Sequence, residues 1–260
     1  MAKPVPPTVS LPAAQYLLVR YAKRGKMRFA SHRDVARAFE RGVRRAGLPI
    51  AYSAGFTPHP KISYAGGAPT GVASEAEYLT LALTSPQVAD QVRERLDVVL
   101  PDGIDVVEVT EEAKGSAGEP DASEWHVMLP GVRPEAAALA VTGFLALSQA
   151  PVERRTDKGV RQLDARAAVV EMAVIDPPER DVAELDPVAH RRVAVTSQQD
   201  CAILRMVVLH QVPAVRPEDV LTALSAGQGL VPSSPPLTTR LSQRWPERGS
   251  SAVLSGKTES

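Results

Sequence analysis

The sequence predicts an α+β protein of two tandem ferredoxin-like (βαββαβ) units with antiparallel sheets, the second unit irregular. Three observations carry this. Over residues 15–110, β-type runs and helical periodicity alternate in the order strand, helix, strand, strand, helix, strand. A stretch rich in Gly, Ser, Ala and acids, 111–123, then reads as a linker. A weaker echo of the same order follows over 124–227.

The elements follow in order. Residues 1–14 are Pro-rich and read as a flexible lead-in. Residues 15–21 (QYLLVRY) are a short strand, and a basic turn around Gly25 follows. Ser31 and Asp34 form a capping box with the shorter acid, so a helix starts at Ser31. Its apolar stripe is Val35, Phe39, Gly42, Val43 and Ala46, and Gly47 and Pro49 end it. Residues 50–72 are dominated by turn residues and aromatics. Residues 77–83 (EYLTLAL) alternate as a strand, 87–96 form a helix opened by Pro86, and 103–110 form a strand. In the second half, strands are expected at 124–129, 165–175, 191–196 and 201–210, and helices at 134–150 and 217–224. Residues 228–260 read as an extended or disordered tail.

At 260 residues, with 44% hydrophobic and 23% charged residues, the chain can bury a sizeable core. No run approaches the roughly 20 apolar residues of a membrane span, and residues 1–11 lack the apolar stretch of an export signal. A cytoplasmic location and no membrane partner are therefore expected. A single cysteine, Cys201, leaves no internal disulfide and no cluster held by cysteines of this chain. The histidines lack ligand-like spacing, so no metal and no cofactor is expected.

The net charge of zero hides a strong asymmetry. Residues 1–64 hold twelve Lys/Arg against Asp34 and Glu40, a net of +10, and the remainder carries −10. Eight of the eleven aromatics also precede residue 80. Basic and aromatic side chains together suit RNA. On the first helix, Arg33, Arg37, Arg41 and Arg44 gather opposite the apolar stripe. Lys23, Arg28, Ser31 and His32 lie at or before the helix start, where free N–H groups and the dipole favour a phosphate. His32 is there either a phosphate-linked proton donor or a surface residue. Residues 52–64 (YSAGFTPHPKISY) place Tyr52, Ser53, Phe56, His59 and Lys61 on a loop stiffened by prolines. That loop is either a stacking platform or a packed turn plugged by Phe56. The glycines of 65–77 read as a structural turn, since no Gly-Lys-Ser/Thr ending makes them a P-loop. Glu75 and Glu77 share one strand face and suggest an internal salt bridge. A second basic cluster, Arg154, Arg155, Lys158 and Arg166, reads as a hairpin tip, either touching the same polyanion or simply solvated.

The combination Tyr21-Ala22-Lys23-x-Gly25, Arg28-Phe29-x-Ser31-His32-x-Asp34, Arg44-Arg45-Ala46-x-Leu48-Pro49 and Tyr52-Ser53-x-Gly55-Phe56-x-Pro58-His59-Pro60 resembles the radical-SAM-associated family of uncharacterised proteins. The match is specific over residues 16–83, with Lys158-Gly159 and Asp164-x-Arg166 resembling a second motif. Gly66-Gly67-Ala68-Pro69 departs from that family's usual Ala-x-Pro-Leu. The resemblance implies a radical SAM protein as partner, bearing the cluster this chain cannot supply. The function expected is RNA binding, as accessory to a radical SAM enzyme in RNA modification. The alternatives are a metal-independent RNA-processing enzyme using His32 with His59 or Tyr52, and a protein-docking module without nucleic acid.

Overall fold

The computed structural model describes residues 11–115, 118–156, 159–176 and 201–245. The first half runs β1 (Gln15–Lys23), a 3-10 turn (Gly25–Phe29), α1 (His32–Arg45), β2 (Ile62–Ala65), β3 (Ala73–Leu83), α2 (Ala89–Val99) and β4 (Ile104–Glu112). The second runs β5 (Ala122–Pro130), α3 (Pro134–Leu145), β6 (Pro151–Thr156), β7 (Gly159–Asp164), α4 (Ala165–Ala168), β8 (Val169–Ile175), β9 (Cys201–Leu209), α5 (Pro217–Gln228) and β10 (Leu237–Arg244).

The fold is α+β, and the described residues form one mixed eight-stranded sheet, five α-helices and the small β6–β7 hairpin. The sheet order is β4-β1-β3-β10-β5-β9-β8, and β2 also pairs with β3. Within each half every neighbouring pair is antiparallel: β4-β1-β3-β2 in the first, β10-β5-β9-β8 in the second. The halves meet at a parallel contact of β3 with β10, through Thr239↔Ala73 and Arg240↔Ser74.

The two separate antiparallel sheets expected from the sequence are instead one continuous mixed sheet, and residues 237–244, expected in an extended or disordered tail, form a strand inside it. Hydrophobic periodicity missed β10 because its inward residues are polar: Thr238, Arg240 and Gln243 are all buried. Their partners on β3, Ser74 and Glu77, are buried and polar as well, which is why 73–76 read as turn. In the second half, 165–168 is a helical turn that precedes β8. The strand expected at 191–196 lies outside the described residues.

Alternation explains the packing. Leu17, Val19 and Tyr21 of β1 face Phe39, Val43 and Leu96 of α1 and α2, forming the first core. Trp125, Val127 and Leu129 of β5 face Val141, Phe144, Val220 and Leu224 of α3 and α5, forming the second. The expected stripe of α1 is buried, and Gly47 (φ +60°) ends the helix in the left-handed conformation that favours glycine. Among the described residues no helix is long and apolar enough to cross a membrane.

Candidate functional site

At the base of α1 lies a pocket of about 250 Å³, lined by Tyr21, Lys23, Ala30, His32, Val35, Gly67, Ala68 and Glu77. β1 supplies Tyr21 and Lys23 two residues apart, and β3 sets Glu77 directly opposite Tyr21. The first turn of α1 supplies His32 and Val35, and the glycine-rich loop closes the remaining side.

That loop is strapped down at every step. Gly66 O accepts from Arg240 at 2.7 Å, and Ala68 N donates to Glu77 Oε2 at 3.1 Å. Ala68 O and Pro69 O accept from Lys23 Nζ at 3.2 and 3.4 Å. Gly71 exchanges two bonds with Arg28, its carbonyl accepting from Nε at 2.8 Å and its N–H donating to the Arg28 carbonyl at 2.7 Å. Behind it, Arg240 and Glu77 form an ion pair with both side chains under 5% exposed. Arg240 also lies over the Trp125 ring at 5.4 Å. Arg24 pairs with Glu75 and, at 2.9 Å, with Asp105.

This reassigns two residues expected to grip RNA. Lys23 and Arg28 are only 3% and 5% exposed and hold the loop. Burial pushes the Lys23 ammonium pKa down, with Arg240 and Arg28 adding to the effect and Glu77 opposing it. Burial, aided by Glu77, pushes the Tyr21 phenol well up, so it stays a neutral donor.

The start of α1 is also internally occupied. Ser31 Oγ accepts from Asp34 N at 3.3 Å, while the Asp34 carboxylate accepts from Ser31 N at 3.1 Å and Ser31 Oγ at 2.6 Å. These bonds hold the Asp34 carboxyl below its usual range. The Ser31 hydroxyl is thus engaged in the cap, and the helix-start N–H groups left for an outside anion are those of His32 and Arg33.

The other expected residues divide into two groups. Arg33, Arg37, Arg41 and Arg44 are exposed along α1, and Arg44 turns back onto Glu40 at 3.9 Å. The 52–60 loop is closed by the Tyr52↔Pro60 bridge and by His59 N donating to Ser53 Oγ at 3.0 Å. Phe56 at its tip is 66% exposed, which settles the plug alternative against it, while Tyr52 packs on the first core. His59 and Lys61 are exposed. The ring against His32 is that of Tyr64, edge-on at 5.1 Å. In the second cluster only Arg155 is an exposed described cation. Arg154 pairs with Asp219 at 2.8 Å, Arg166 donates to the carbonyls of Leu145 and Val169, and Lys158 lies outside the described residues.

Sequence reasoning missed Tyr21, Tyr64 and Arg240. For Tyr21 and Lys23 a signal existed, since both continue the inward alternation of Leu17 and Val19. It also missed Ser123, whose hydroxyl donates to His210 Nε2 at 2.8 Å while Nδ1 donates to Pro120 O at 2.8 Å. Through Pro120, His210 ties the inter-half connection to the end of β9, and through Ser123 it ties β5 there. Among the described residues no three His, Cys, Asp or Glu converge as metal ligands.

A family model described as "Uncharacterized protein conserved in bacteria (DUF2344)" matches residues 16–217. No curated protein matches the sequence. Among solved structures, one titled "Crystal Structure of a Cbf5-Nop10-Gar1 Complex" has a TM-score of 0.45 at 12% identity, covering 88% of this chain and 49% of that one. This chain thus spans about half the length of its match, and no activity is transferred from it.

Proposed function

We propose that this chain, which belongs to the DUF2344 family of bacterial proteins, is an RNA-binding accessory protein that works with a radical SAM enzyme in RNA modification. The observation that carries the reading is the outer face of α1. Arg33, Arg37, Arg41 and Arg44 stand exposed over about three turns, on a helix whose only acids are Asp34 and Glu40. The exposed Phe56 offers a base-stacking ring on the neighbouring loop. Support for the radical SAM partner is the motif resemblance over residues 16–83. We read each half, from its strand order and directions, as a ferredoxin-like unit, the second carrying the β6–β7 hairpin as an insertion and β10 as its last strand.

The test is the double variant Arg37→Ala/Arg41→Ala in RNA-binding titrations over a range of salt. Losing two phosphate contacts lowers the slope of log K against log salt by about 0.7 to 0.9 per contact. Both side chains are exposed on the helix, so the thermal midpoint should stay put. Unchanged affinity and slope in the folded variant would remove this face from the argument.

A further inference from the structure

We propose that the pocket walled by Tyr21, Lys23, Ala30, His32, Gly67 and Glu77 binds a phosphate monoester. This pocket is distinct from the arginine face, and its charge favours an anion. Arg240 and Glu77 neutralise each other inside the protein. Lys23 is as deeply buried, yet its acceptors are two neutral carbonyls, and it makes no ion pair among the described residues. The one carboxylate beside it, Glu77, is already paired with Arg240, so the site keeps an excess of buried positive charge, and an entering anion reduces its cost. Glu77 does not repel the anion strongly, because its oxygens already serve Arg240 and Ala68 N.

The hydrogen-bonding groups agree. Tyr21 is 4% exposed and lines the pocket, and its hydroxyl has no hydrogen-bond partner among the described residues. The hydroxyl opens on the pocket, where its proton can be donated to an entering acceptor. The His32 ring lines the same space, and the His32 and Arg33 N–H groups are the first-turn donors the capping box leaves over. An ammonium, a phenol and an imidazole already outnumber the oxygens of a carboxylate, whereas a phosphate monoester brings three strong acceptor oxygens.

Size narrows the ligand further. At about 250 Å³ the space falls below the roughly 300 Å³ at which whole small-molecule pockets begin. The phosphate enters with at most part of its sugar, and the rest of the ligand lies outside. Two sources present that group, the 5′ end of an RNA and a free nucleoside monophosphate. Only the first rests on the RNA reading above.

The experiment is calorimetric titration of the full chain with four probes: inorganic phosphate, uridine monophosphate, and hexauridylate with and without a 5′-phosphate. Tyr21→Phe keeps the ring against Phe39, at 4.7 Å, and removes only the hydroxyl. Lys23→Gln removes the charge, and thermal melting establishes that each variant is folded. The wild type should bind phosphate, and Tyr21→Phe should bind it about tenfold more weakly, as expected for a hydrogen bond to a charged group. A preference for the phosphorylated hexamer, lost in Tyr21→Phe, assigns the pocket to an RNA end. Tyr21-dependent binding of phosphate and the monophosphate, with both hexamers alike, assigns it to the free ligand. If neither hexamer binds while phosphate still does, the RNA reading falls and the pocket stands. No binding of phosphate, of the monophosphate or of the 5′-phosphate by the wild type overturns the proposal, and so does equal phosphate binding by folded Tyr21→Phe.

Discussion

Replacing Arg240 by methionine should cost the protein a large share of its stability. The guanidinium spans the junction of the two halves: on β10, it pairs with Glu77 of β3, donates to Gly66 O at 2.7 Å and reaches Ser74 Oγ at 3.3 Å. The side chains of Arg240 and Glu77 are 3% and 4% exposed, so the screening that reduces surface pairs to under about 1 kcal/mol does not apply. Removing one partner strands a buried charge, which costs about 3–5 kcal/mol. Arg240→Met should lie at the upper end, since Gly66 O loses its Arg240 donor as well while Ser74 Oγ keeps only Ala76 N, and Glu77→Gln at the lower end. Against a typical total of about 5–15 kcal/mol, either loss is visible in a denaturant titration. The backbone does little to compensate, because the parallel junction has only two register pairs. The double variant should cost clearly less than the sum of the singles, with a coupling of about 2–3 kcal/mol. A single-variant cost under about 1 kcal/mol, or strict additivity, would refute the account of this pair as the clasp between the halves.

Two further outcomes follow from local geometry. Gly103 has φ +87°, and a Cβ there would sit 2.7 Å from the Arg24 carbonyl oxygen, so Gly103→Ala should lower stability by about 1–3 kcal/mol, read as a fall in thermal midpoint. His210 and His126 have their pKa values pushed below 6.5, in both cases chiefly by burial, so the unfolded chain binds protons that the folded one resists. Their contribution is complete above about pH 6.5 and is lost as pH falls through their folded pKa values. The denaturation midpoint should therefore drop between pH 7.5 and pH 5, and the drop should shrink in His210→Gln; a flat profile would contradict the buried neutral state.

What could be read in the sequence was whatever is local or periodic. The Ser31–Asp34 capping box, the buried stripe Val35, Phe39 and Val43, the exposed arginines opposite it and the end at Gly47 are all properties of one helix, set by 3.6-residue periodicity and cap chemistry. The strand character of β1, β4, β5 and β9 was likewise written in short Val-, Ile- and Leu-bearing runs. Phe56 was recognisable as a loop residue, but whether it faced in or out depended on how the 52–60 loop closes on itself.

The sequence by itself determined an α+β chain with a basic, aromatic first quarter, a capped arginine-bearing helix, and a second half in which strand-forming runs again alternate with helical stretches. Only the tertiary structure decided which cations are free and which are buried. Arg28 and Arg240 look in sequence like any other basic residue, and Lys23 is set apart only by the alternation of β1; the glycine-rich loop covers Lys23 and Arg28, and the folding back of β10 onto β3, 166 residues away at Arg240 and Ser74, buries Arg240. Burial and charge pairing arise from contacts between segments remote in the chain, and periodicity along one segment carries no record of them. The helix face could therefore be read from the sequence, while the pocket beneath it could not.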